Sequence, residues 1–126
     1  MTDGRRILVV DDDSDVRVFL ARLLQRAGYT VLTAGDAAQA LVKADQEPLD
    51  LIVTDITMPA GGGFGVLERL KMSAKTRSIP IVVLTGHDDP TIEVRALGAG
   101  VTRVLPKPCD NAVLLDCIKA ALSEGG

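Results

Sequence analysis

Leu51-Ile52-Val53-Thr54-Asp55-Ile56-Thr57-Met58-Pro59 is an apolar, β-branched run that ends on a carboxylate. A strand of this kind, apolar without alternation, is buried on both faces. The residue that ends it comes out on the rim of a sheet. Three further segments share the form. Ile7-Leu8-Val9-Val10 runs into Asp11-Asp12-Asp13, Ile81-Val82-Val83-Leu84 runs into Thr85, and Val104-Leu105-Pro106 delivers Lys107. If the strands are parallel neighbours, carboxylates, a hydroxyl and an ammonium meet along one edge. That set of groups suits a divalent cation and a phosphoryl group.

The first strand is read from about Arg6 to Val10, and between these strands the pattern is helical. Val16, Phe19, Leu20, Leu23 and Leu24 form one stripe, started by Asp13 or Ser14 as N-cap and closed by Gly28. A second strand spans Thr30 to Ala34, and Asp36 caps a short Ala-rich helix that fades before Pro48. The third strand is read from Leu49 to Thr54. Gly61-Gly62-Gly63 and Gly65 read as a flexible connector into a helix carrying Val66, Leu67 and Leu70. Glycine is costly to order, by up to about 1 kcal/mol relative to Ala in a regular element, so unusual mobility is expected from Pro59 to Gly65.

The fourth strand runs from Ile81 to Leu84. Asp89-Pro90 is a strong helix start, and Gly98 weakens that helix, which is expected to be short or mobile. The fifth strand covers Arg103 to Leu105. A last helix begins near Asp110 and carries Val113, Leu114, Cys117, Ile118 and Ala121. Strands alternating with helices imply right-handed crossovers, an α/β fold and a parallel sheet covered on both faces. In such sheets ligands bind outside the carboxyl ends of the strands, where Asp11, Asp12, Asp55, Thr85 and Lys107 stand.

Bulk properties narrow the function. A chain of 126 residues holds one domain with a real core, and 47% hydrophobic with 25% charged residues is ordinary globular composition. A net charge of −3 with scattered Lys and Arg argues against a nucleic-acid surface. No apolar run approaches the roughly 20 residues that span a bilayer, and the N-terminal residues lack a signal-peptide pattern. A cytoplasmic location is expected. Cys109 and Cys117 are read as reduced thiols, Cys117 on an apolar helix face.

The segments "ILVVDDD", "DLIVTDITMP", "IPIVVLTG" and "VLPKP", in that order, resemble a response-regulator receiver domain, the phosphoacceptor module of two-component signalling. The resemblance covers Ile7 to about Leu122, within a single receiver domain over residues 1–126 whose core is about 5–122. It implies a flavodoxin-like, doubly wound sheet of five parallel strands in the order 2-1-3-4-5, flanked by five helices. Asp55 matches the phosphoacceptor. Asp11 and Asp12 match the acidic pair, with Asp12 a direct ligand of Mg²⁺ (or Mn²⁺) and Asp11 acting largely through water. Asp55 and the backbone carbonyl of Thr57 complete the metal set. Thr85 matches the switch hydroxyl, Lys107 the family's lysine, and Lys107-Pro108 a cis peptide bond. A histidine kinase or histidine phosphotransfer protein is the implied phosphodonor.

General chemistry agrees with these roles. Clustered carboxylates repel one another unless a cation neutralises them. Mg²⁺ suits an oxygen-only site and keeps several waters. Phosphoryl transfer depends chiefly on positioning and charge neutralisation, and an aspartate can serve as nucleophile. The protein is expected to catalyse its own phosphorylation and hydrolysis without acting as a dedicated enzyme. The alternative is a metal-dependent aspartyl-phosphate hydrolase. Such enzymes usually carry a second aspartate two residues after the nucleophile, and Thr57 stands there. His87, two residues past Thr85, reads as a solvated loop histidine. A flavin carrier is disfavoured by the absence of Trp and the scarcity of Tyr and Phe.

Departures from the family pattern bear on output. Val104 stands where many receivers carry Tyr or Phe, so no ring couples Thr85 to the last strand. Cys109 replaces a residue that is usually Phe, and the glycine run replaces Met-Asp-Gly. Output is expected through a downstream protein target or an output domain, with the last two helices and strand five as the contact face by analogy. Whether the receiver stands alone or forms part of a larger regulator or hybrid kinase is left open by these residues.

Overall fold

The computed structural model describes residues 4–55, 62–86, 90–107 and 109–125. Strands β1 (Arg6–Val10), β2 (Thr30–Ala34), β3 (Leu51–Asp55), β4 (Ile81–Thr85) and β5 (Arg103–Pro106) alternate with helices α1 (Ser14–Arg26), α2 (Ala37–Gln46), α3 (Gly62–Met72), α4 (Pro90–Gly98) and α5 (Asn111–Gly125). All pairings are parallel, and the strand order is β2-β1-β3-β4-β5. The parallel sheet is the one the alternating pattern predicts, and its doubly wound strand order is the one the resemblance implies. The order reverses at β1, between β2 and β3, where such folds place their ligands.

Strand residues divide by parity between two cores, because successive side chains point to opposite faces. Leu8, Val10, Ile52, Ile81 and Val83 pack with Ala40 and Ala44 of α2, Val66, Leu67 and Leu70 of α3, and Ala96 of α4. Ile7, Val9, Leu51, Val53, Val82 and Leu84 pack with Leu20 and Leu24 of α1 and Leu114, Ile118 and Ala121 of α5. β3 and β4 are buried at every position, which explains the apolar runs Leu51–Val53 and Ile81–Leu84 that precede their polar ends. Burying a Leu, Ile or Val side chain contributes about 1.5–3 kcal/mol, so these two central strands anchor the site above them.

The caps follow the sequence closely. Asp13 accepts hydrogen bonds from the backbone N–H groups of Asp15 and Val16, and Asp36 accepts one from Gln39. Gly28, with φ of 100°, follows the C-cap Ala27 of α1 in the left-handed conformation glycine tolerates. Asp110 accepts from Ala112 at the start of α5.

Some expectations require correction. β3 begins at Leu51 rather than Leu49, because Asp50 is engaged at the strand entrance. Its carboxylate accepts from the Arg6 N–H at 2.8 Å, and its own N–H donates to the Arg6 carbonyl at 2.8 Å. Phe19 does not join the buried stripe of α1 and is 54% exposed. Gly62, Gly63 and Gly65 are helical rather than a connector. The burial of Val66, Leu67 and Leu70 outweighs the glycine penalty there. The rest of the stretch expected to be mobile, residues 59–61, lies outside the described residues. Cys117 and Cys109 are half-buried at the margin of the second core and form no disulfide. Val104 packs at the margin of the first core.

Candidate functional site at the carboxyl edge of the sheet

β1, β3, β4 and β5 deliver their last residues to one rim. The register pairs Asp55 with Leu84 and Thr85 with Pro106, so the polar residues at these strand ends stand side by side. Asp11 is 1% exposed, Asp55 5% and Thr85 6%. Burying ionised groups is costly unless they are paired. The pairing is supplied by Lys107, whose Nζ donates to Asp11 Oδ2 and to Asp55 Oδ2, each at 2.9 Å.

One ammonium thus bridges two strand ends that are 44 positions apart in sequence. Burial opposes the charge on Lys107. The hydrogen bonds from Asp11 and Asp55, with the attraction of both carboxylates, outweigh that cost and raise its pKa above the ordinary lysine value. The lysine is therefore held protonated. Its backbone N–H donates to the Thr85 carbonyl at 2.8 Å, which fixes the distance between the hydroxyl-bearing and ammonium-bearing loops.

Carboxylate oxygens of Asp11, Asp12 and Asp55 lie within 4.8 Å of one another. Asp12 is the exposed member of the three. Three carboxylates against the single ammonium of Lys107 leave two negative charges in excess among these four groups. A divalent cation would balance that excess, and an oxygen-only donor set suits Mg²⁺. The donor chemistry therefore fits the metal that the sequence pattern implies.

The residues singled out from sequence converge as far as they are described. Asp11, Asp12, Asp55, Thr85 and Lys107 meet at this edge. Thr57, His87 and the Lys107-Pro108 peptide bond fall on or adjoin residues outside the described set. Sequence reasoning passed over Arg17. Its Nη1 donates to the Asp11 carbonyl at 2.7 Å. The available signal was its position: a long cationic side chain in the first turns of α1 leans back toward the helix N-terminus, which here is the acidic turn.

Comparison with known proteins agrees with this architecture. The family model for the response regulator receiver domain matches residues 7–119. The chain belongs to that family and is a receiver domain of two-component signalling. Among individual proteins, it is similar to Protein PilH of Pseudomonas aeruginosa, with 35% identity over 118 residues, 94% of this chain and 98% of PilH. It is also similar to the CAI-1 autoinducer sensor kinase/phosphatase CqsS of Vibrio cholerae, with 36% identity over 117 residues. That match covers 92% of this chain and 17% of CqsS. The chemotaxis response regulator CheY4 of Vibrio cholerae superposes with a TM-score of 0.87 at 32% identity, covering 94% of this chain and 98% of CheY4. Receiver domains generally hold Mg²⁺ in an acidic pocket, and Asp11, Asp12 and Asp55 form an acidic cluster at this edge. Among the described residues, no helix is long and apolar enough to cross a membrane.

Proposed function

We propose that this receiver accepts a phosphoryl group on Asp55 from a histidine kinase or histidine phosphotransfer protein, and that the modified domain changes its protein contacts. The observation that carries the reading is the buried Asp55 carboxylate, held with Asp11 by the single Lys107 ammonium. A carboxylate oxygen of Asp55 attacks phosphorus, the bond to the donor breaks, and an acyl phosphate forms. Lys107, already within hydrogen-bond distance of Asp55, neutralises charge on the incoming group from one side. Asp11 and Asp12, with Asp55 and the Thr57 carbonyl, would hold Mg²⁺ (or Mn²⁺). When bound, the metal would supply charge neutralisation to the phosphoryl oxygens.

Thr85 is the switch hydroxyl in this reading, donating to a phosphoryl oxygen once one is present. Its loop is tied through the Lys107 N–H to the strand that carries Val104. Without an aromatic ring at Val104, the signal passes through backbone and loop displacement instead of ring rotation. The output face is α4, β5 and α5, whose helices expose Val94, Leu97 and Val113. It meets a downstream protein or an output domain. The domain acts on itself in the cytoplasm, promoting its own phosphorylation and dephosphorylation, with no external substrate turned over as a dedicated enzyme.

The test is intact-mass measurement after incubation with Mg²⁺ and acetyl phosphate. One phosphoryl group is expected on the native protein and none on Asp55→Asn. Full labelling of the variant would remove Asp55 from the mechanism.

A further inference from the structure

Asp11 is held at all three of its oxygens. Lys107 donates to Oδ2 at 2.9 Å, the Asp13 N–H donates to Oδ1 at 2.9 Å, and Arg17 Nη1 donates to the main-chain carbonyl at 2.7 Å. The Asp11 N–H in turn donates to the Ala34 carbonyl at 3.2 Å. The first two oxygen contacts come from the acidic turn and the charged site themselves. The third comes from outside, from a helix side chain that touches none of the carboxylate oxygens described. Arg17 is half-buried, so its contact with the carbonyl is partly shielded from competing water.

The space for that guanidinium exists because residue 35 is a glycine. A Cβ on Gly35 would stand 2.9 Å from Arg17 Nη1 and 3.4 Å from its Cζ. The crowded atom is the same nitrogen that bonds the Asp11 carbonyl. Gly35 is not in the left-handed conformation, so backbone geometry does not demand glycine at this position. The packing of Arg17 does. Arg17, in the space that Gly35 leaves, thus bonds the carbonyl of the peptide between Asp11 and Asp12.

We propose that Arg17, seated on Gly35, is a positioning residue for the acidic turn, and that it holds Asp12 in the orientation in which its carboxylate meets Asp55. The proposal rests on the reading of Asp11, Asp12 and Asp55 as the metal site. Outer contacts that orient metal-binding groups commonly change affinity by about 10–100-fold when removed. A loss of about tenfold is expected here, because Lys107 still holds the Asp11 carboxylate.

Gly35→Ala is the informative variant. It keeps every charge and every side chain of the site and displaces only the tip of a flexible arginine, so the fold is expected to tolerate it. Arg17→Met alone mixes two opposing effects, since it also removes a cation whose loss would strengthen attraction for a divalent ion. Titration calorimetry with Mg²⁺ should show about tenfold weaker binding for Gly35→Ala, with no further weakening in the Gly35→Ala/Arg17→Met double variant. In the metal-free proteins, the Asp13 amide proton should exchange faster in Gly35→Ala than in the native chain, at matched global stability.

Native affinity in Gly35→Ala, or an unchanged Asp13 amide, would overturn the positioning role. A native protein that binds no Mg²⁺ would instead overturn the metal reading, and the amide measurement would still judge whether Arg17 orders the turn.

Discussion

The two edges of the sheet carry similar residues to opposite ends. At the amino edge, Arg6 donates to Glu47 Oε2 at 2.9 Å and to the Pro48 carbonyl at 2.9 Å, and Lys75 lies 3.8 Å from Asp45. These side chains are partly or largely solvated. At the carboxyl edge, the carboxylates of Asp11 and Asp55 are buried and share one ammonium, with Asp12 adding a third negative charge. Solvent can satisfy each charge at the first edge. At the second, two buried carboxylates depend on one ammonium, and the exposed Asp12 beside them adds a further negative charge. The difference lies in burial and charge balance, rather than in the number of acidic residues, and it separates a surface ion-pair network from the site proposed to receive a cation and a phosphoryl group.

The comparison breaks most sharply at Lys107. In Lys107→Ala, two buried carboxylates lose their common partner, and a metal-free loss of roughly 1–3 kcal/mol is expected in denaturant unfolding. Mg²⁺ binding should survive, since Lys107 supplies no metal donor, while phosphoryl uptake is impaired. Abolished Mg²⁺ affinity in this variant would show that the charges are assigned wrongly.

A second effect of similar size concerns the metal itself. At a Mg²⁺ concentration near a hundred times its dissociation constant, binding to the folded state alone stabilises by about 2.7 kcal/mol. The native protein should show this rise in thermal unfolding. Asp12→Asn should largely lose it and should be no less stable than the native chain without metal, because one repelling charge is gone. A native-sized Mg²⁺ response in Asp12→Asn would exclude that carboxylate as a ligand.

The smallest effect belongs to the other edge. Glu47→Gln removes an exposed ion pair, worth about 0.2–1 kcal/mol before screening, and should leave both Mg²⁺ response and phosphoryl uptake unchanged. A change in either would mean the two edges communicate.

Much of this architecture could be read from residue order because the local signals agreed with one another. β1 and β2 run over the expected residues, since each is a short apolar run bounded by a turn or a cap. The strand-end rule alone brings Asp11, Asp55, Thr85 and Lys107 to one rim. What escaped depended on partners remote in sequence. The entrance of β3 is set by Asp50 and Arg6, 44 positions apart. The start of α3 reads as a glycine loop by propensity, yet core burial of Val66, Leu67 and Leu70 makes it a helix. Phe19 matches the helical period of α1 but falls at the rim of the buried stripe. Arg17 has the composition of any solvated helix arginine, and only the three-dimensional approach of Asp11 and Gly35 distinguishes it.

The central claim is that the phosphoryl group resides on Asp55. It is tested most directly by treating the protein with acetyl phosphate and Mg²⁺, trapping the acyl phosphate by borohydride reduction, and sequencing the peptides by mass spectrometry. The reduced residue is expected at position 55 alone. Reduction at Asp11 or Asp12, or a phosphoryl group stable on a hydroxyl such as that of Thr85, would contradict the account.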